Sequence, residues 1–109
     1  MGRSIVFRIE LKYQNLTVEE YRLRDGDIRF IGRAPDNHIV IDDPTVSHNH
    51  CFIIQIDEEL FIGDRGGKFL TLVDGIQVIC TKLNPGDVVR IGVNYALKVL
   101  TTTKGSGER

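Results

Sequence analysis

The chain has 109 residues, 41% hydrophobic and 27% charged, which suits one domain with a core of its own and leaves no room for two. Fourteen basic and fifteen acidic residues give a formal net charge of −1, so no overall field draws in nucleic acid or an anionic membrane, and any anion must be held locally. No apolar run nears the roughly 18 residues that cross a bilayer, and the start Met1-Gly2-Arg3-Ser4-Ile5-Val6 lacks the Ser or Thr that N-myristoylation takes at the sixth position, so no membrane insertion is expected.

Ile5, Phe7, Ile9, Leu11 and Tyr13 alternate with Val6, Arg8, Glu10 and Lys12, the period of two of a strand with one buried face. Further extended runs are predicted at Leu16 to Leu23, Ile28 to Ile31, His38 to Ile41, Asn49 to Ile56, Leu60 to Gly63, Phe69 to Val73, Ile76 to Leu83, Val88 to Ile91 and Tyr95 to Thr101. Short turns separate them, among them Asp25-Gly26-Asp27, Ala34-Pro35-Asp36-Asn37, Asp57-Glu58-Glu59, Asp74-Gly75 and Asn84-Pro85-Gly86-Asp87. Glycine supplies positive φ and proline presets the first turn position, so each stop has a mechanism. No sustained 3.6-residue stripe marks a helix. Many short strands at close spacing predict an all-β antiparallel sandwich of about ten to eleven strands. The domain is expected to span residues 1–101, with 102–109, which have nothing apolar to bury, as a flexible tail.

Cys51 and Cys80 form no C-x-x-C pair and no secretory signal precedes them, so small, reduced strand residues in a cytoplasmic protein are expected.

Chemistry gathers between Gly32-Arg33 and Ser47-His48-Asn49-His50. If Asn49 to Ile56 and Leu60 to Gly63 form a hairpin around Asp57-Glu58-Glu59, the loop entering the first strand and the loop leaving the second share one end of the sandwich. Ser47 and His48 then share an edge with Arg65 to Lys68. The run His38 to Ile41 spans only roughly 13 Å at about 3.3 Å per residue, short enough for the Arg33 loop to reach that edge.

On such an edge Arg33 offers parallel N–H donors to phosphate oxygens, Ser47 a rotatable hydroxyl and Lys68 a point charge. The same residues also fit a solvated turn arginine, a serine capping the following strand and a surface lysine. His50 shares parity with Phe52, Ile54 and Ile56, which predicts that it faces the core as a strut shaping the Ser47 loop.

These residues resemble the forkhead-associated (FHA) family, a sandwich whose members typically bind phosphothreonine peptides through loop residues. The family opens its site with Gly-Arg, here Gly32-Arg33, then an apolar strand and acidic turn, here Ile39-Val40-Ile41-Asp42-Asp43, then Ser-x-x-His, here Ser47 to His50. Its pattern Asp-x-Gly-Ser-Thr-Asn-Gly-Thr-x-Val-Asn-Gly is met by the run from Asp64 to Gly75, where Lys68-Phe69-Leu70 replaces the central Thr-Asn-Gly. Leu83, Gly86-Asp87 and Ile91-Gly92 match later signals.

The resemblance implies that Arg33 and Ser47 are phosphate ligands, that His48 makes a further polar contact, and that Gly32 and His50 support the site. Phe69 stands where the family's asparagine bonds the peptide backbone. Losing one or two neutral hydrogen bonds of about 1 kcal/mol lowers affinity roughly five- to thirtyfold, part of which Lys68 can return through the phosphate. The implied partner is a phosphothreonine-containing protein or peptide, a Ser/Thr kinase substrate, bound without a cofactor in signalling or regulated assembly. The alternative is a phosphorylation-independent adaptor or assembly domain using Phe69 and Leu70 as an apolar surface.

An enzyme is not expected, because three residues of extended chain separate Ser47 from His50 by about 10 Å, too far for a nucleophile and its base. A metal centre on His48-x-His50, completed by His38, Cys51 or Asp64, lacks a second paired ligand motif, so no metal is expected either.

Overall fold

In the computed structural model, which describes residues 5–100 and the backbone of 103–104, the first alternating run forms β1 (Ile5–Tyr13) with Phe7, Ile9 and Leu11 in the core. The chain continues through β2 (Leu16–Leu23), β3 (Ile28–Gly32), β4 (Ile39–Val40), β5 (Cys51–Ile56) and β6 (Glu59–Asp64). There follow β7 (Thr71–Val73), β8 (Ile76–Gln77), β9 (Cys80–Leu83), β10 (Val88–Ile91), β11 (Tyr95–Val99) and β12 (Thr103–Lys104).

One sheet has the order β12-β1-β11-β10-β7-β8 with β2 also paired to β1, and the other the order β4-β3-β5-β6-β9. Ile31, Ile53, Ile62 and Leu83 from the second sheet share a buried cluster with Ile9, Val89, Ile91 and Leu97 from the first. Each such side chain contributes about 1.5–3 kcal/mol on burial, which holds the sheets face to face. The protein is thus the all-β sandwich that turn chemistry predicts. Asp74 and Gly75 both take positive φ, 49° and 83°, in the two-residue turn that pairs Val73 with Ile76.

Two local expectations change. The run Ile76 to Leu83 divides into β8 and β9, which lie in different sheets. The Val78 N–H donates to Thr71 O at 3.1 Å and Ile79 O accepts from the Asp64 N–H at 2.7 Å, so two residues carry the chain from one sheet to the other. In β5 the buried positions are Cys51, Ile53 and Gln55, while Phe52 and Ile54 are half-buried and Ile56 is exposed. His50 is fully buried in the loop before β5, where backbone at Ser47 and Leu70 engages its ring, so strand parity does not account for its burial.

Strand directions position the site. β3 and β6 both run antiparallel to β5, so the ends of β3 and β6 flank its beginning. β4 is parallel to β3, so residues 33–38 return before β4 starts and the loop after β4 opens at the same pole. The loops meet through Arg33 N–H to Ser47 O (2.9 Å), Ala34 N–H to His48 O (3.1 Å) and Arg65 N–H to His50 O (3.1 Å). β12 lies within the stretch expected as a tail and pairs with Ile5 and Val6. Residues 101–102 and 105–109 of the expected domain end and tail fall outside the described residues.

Candidate functional site

Gly32 ends β3 against the loop before β5. A Cβ there would collide with the His48 carbonyl oxygen and come within 2.8 Å of Asn37 Nδ2, so only glycine lets the loops close. Arg33 Nε donates to Val46 O at 3.1 Å, which fixes the side chain while Nη1 and Nη2 have no partner among the described residues. Asn37, buried behind it, donates through Nδ2 to Ala34 O (3.0 Å) and His48 O (2.8 Å) and accepts from Arg65 Nη1 at 3.0 Å.

The segment Ser47 to His50 is folded rather than extended, contrary to the separation expected from sequence. The Ser47 backbone N–H donates to His50 Nδ1 at 3.1 Å. Nδ1 is therefore the acceptor, the ring proton sits on Nε2, and it donates to Leu70 O at 3.0 Å. Burial pushes the His50 pKa below its ordinary value, opposed by the Leu70 carbonyl and the Asp64 charge. With both nitrogens engaged by backbone, the imidazole shapes the loop and is not bonded to the Ser47 hydroxyl. Ser47 Oγ instead accepts the Phe69 N–H at 2.8 Å and keeps its own proton to donate. Gly67 packs on this serine so closely that a Cβ would lie 2.6 Å from Oγ.

Arg33, Ser47, His48, Lys68 and Phe69 line a single groove of about 360 Å³, together with Asn49, Arg65, Gly66 and Gly67. Gly32 and His50 lie beneath its walls, holding the loop that carries Ser47 and His48. The Lys68 ammonium is 5.6 Å from the Phe69 ring centroid. Arg65 falls in the segment expected at this edge, yet nothing in the local sequence marks its role. Its position depends on Asn37 and on the Phe30 ring, whose centroid is 4.6 Å from the guanidinium carbon.

Arg33, Arg65 and Lys68 have no carboxylate within ion-pair distance among the described residues. The nearby Asp64 is committed to the Gly66 N–H (2.8 Å) and the Thr71 hydroxyl (2.7 Å). At the opposite pole a wider groove of about 680 Å³ is lined by Asp25, Asp57, Glu58 and Glu59, so the two grooves are lined by charges of opposite sign. The positive groove can hold an anion, but it sets no base against its hydroxyl. The histidines at 48 and 50 face different ways, the first exposed and the second buried. No cluster of three or more metal-ligating side chains forms among the described residues.

The sequence model of the FHA domain matches residues 29–92. The chain is 39% identical over 70 residues to the ABC transporter ATP-binding/permease protein Rv1747 of Mycobacterium tuberculosis, a match that covers 64% of this chain and 8% of the transporter. The FHA domain of the Chlamydia trachomatis CT664 protein superposes with a TM-score of 0.76 at 25% identity, covering 92% of this chain and 98% of that one. A structure from a study of phosphothreonine-dependent FHA domain interactions superposes with a TM-score of 0.73 at 26% identity, covering 90% and 96%. With more than half its length matched, and with the Gly32-Arg33 and Ser47 to His50 loops meeting at one pole of a two-sheet sandwich, the chain belongs to the FHA domain family.

Proposed function

We propose that this FHA domain is a non-enzymatic interaction module that binds a phosphothreonine-containing protein or peptide, the product of a Ser/Thr kinase, in cytoplasmic signalling or regulated assembly. The observation that carries this is Arg33, which lines the same groove as Ser47 and, among the described residues, commits only Nε and neither Nη group. Two parallel N–H bonds from Arg33, one O–H bond from Ser47 and the Lys68 charge suit a phosphate bearing about −1.5 to −2 charges. Each charge-assisted bond nets roughly 1.5–3 kcal/mol, so two or three supply most of a micromolar affinity of about 8 kcal/mol. His48 adds a polar contact at the exposed rim, and Gly32 and His50 keep the loops in place. The phosphothreonine-dependent interactions named for a structural neighbour support the same chemistry.

A second reading is a phosphorylation-independent adaptor, favoured by Phe69 on the groove and by Leu70, which is 54% exposed beside it. A degenerate phosphothreonine peptide library and its unphosphorylated twin separate the two. The phospho-reader binds only the first set, and Arg33→Ala weakens binding by at least about 2 kcal/mol, roughly thirtyfold. Equal binding of the unphosphorylated peptides establishes the adaptor instead.

A further inference from the structure

Arg65 lies on the same groove as Arg33 but is held by different partners and presents a different edge of its guanidinium. We infer that Arg65 is a specificity-determining residue that receives the carboxylate of an Asp or Glu flanking the phosphothreonine. This rests on the phosphothreonine reading above.

The side chain is set in place before any ligand arrives. Its Nη1 donates to Asn37 Oδ1 at 3.0 Å, and Asn37 is itself fixed by two bonds through Nδ2. The guanidinium carbon stands 4.6 Å from the Phe30 ring centroid, a cation–π contact. That ring is backed by His38, with centroids 5.4 Å apart in a stacked arrangement, and His38 Nδ1 accepts the Phe30 N–H at 2.8 Å. An exposed arginine ordinarily loses much of its rotamer freedom when it is immobilised. Here most of that loss is already taken in the free protein.

The donors left over select the ligand. With Nη1 committed, Arg65 keeps the edge formed by Nε and Nη2, whose parallel N–H bonds match the two oxygens of a carboxylate. Arg33, with Nε committed, keeps its Nη1 and Nη2 end. Two differently oriented forks on one groove serve two anionic groups better than one. Charge balance agrees: Arg33, Arg65 and Lys68 bring three positive charges to the groove, while one phosphothreonine carries about −1.5 to −2. Among the side chains that line the groove, about one positive charge is left for a neighbouring acid.

The test is selection by the intact domain from a degenerate phosphothreonine peptide library, followed by anisotropy titration of one selected acidic peptide and its alanine-substituted twin. Asp or Glu is expected to be enriched at a flanking position, with an affinity gain of about three- to tenfold over the twin that shrinks with added salt. Arg65→Gln is expected to abolish that gain, so that the acidic peptide loses about three- to tenfold more affinity than the neutral twin does. No acidic preference, a preference that survives Arg65→Gln, or a parallel loss for both peptides overturns the inference, the last by showing that Arg65 only props the Asn37 loop. Absence of any phosphate-dependent binding is a different result: it removes the phosphothreonine reading, and this inference with it.

Discussion

The backbone N–H of Phe69 donates to Ser47 Oγ at 2.8 Å, so the hydroxyl that lines the groove also joins the two loops forming its walls. Ser47→Ala removes the acceptor and leaves a partly buried amide without a partner. Denaturant titration is expected to show a loss of about 1–2 kcal/mol, accompanied by weaker phosphopeptide binding. Undiminished stability would show that the loops stay closed without this bond.

Because that bond uses backbone, it is indifferent to the side chain at position 69. Phe69→Asn is therefore expected to keep the loop closure and change stability by less than about 1 kcal/mol, the loss of the Lys68 ring contact included. Restoring an amide at the groove is expected to raise phosphopeptide affinity about five- to thirtyfold. The same titration with unphosphorylated peptide should show no gain, and an equal gain there would separate position 69 from phosphate recognition.

His50 sets a pH limit on the fold. Burial holds its pKa below the ordinary 6.5, so as the pH falls the unfolded chain takes up the proton before the native state does. Stability is complete above that value and declines as the pH drops from there through the folded pKa. Thermal melts between about pH 7.5 and about pH 5 should show this decline, and His50→Asn, less stable throughout, should give a flatter profile. Asp43, held low chiefly by the Asn94 amide and then by Thr45, acts in another window: its contribution is present above about 3.8 and lost below. A wild-type profile that is level down to pH 5 would contradict the buried, neutral imidazole.

The two thiols should separate cleanly under alkylation. Cys80 is exposed, whereas Cys51 is fully buried and burial pushes its thiol far up. Native protein treated with iodoacetamide is expected to carry one label, at Cys80 by mass spectrometry, with Cys51 reacting only after denaturation. Rapid labelling of both in the native state would be inconsistent with the packing of β5.

Strand periodicity and turn residues were enough to identify the sandwich and most strands, because Gly and Pro stops act locally. They misplaced the face of β5 because Phe52, Ile54 and Ile56 alternate with Cys51, Ile53 and Gln55, and apolar residues occupy both sets. Gln55 is buried because Nε2 bonds Ile5 O and Asp57 O, partners that only the tertiary fold supplies. The crossing at Val78 and Ile79 was hidden for a similar reason, since the apolar pattern runs on while the chain changes sheets. For the groove, Gly32-Arg33 and Ser47 to His50 were visible as motifs. Arg65 carries no such mark in the sequence, because its orientation comes from Asn37 and Phe30, which are remote in the chain.

Ile5 is paired with Lys104, and its carbonyl accepts Gln55 Nε2 at 2.9 Å, near the turn joining β5 to β6 and far from the positive groove. The start of β1 and the end of β12 therefore lie side by side at the pole remote from the groove. The positive groove accordingly opens at a pole that neither of these strand ends reaches.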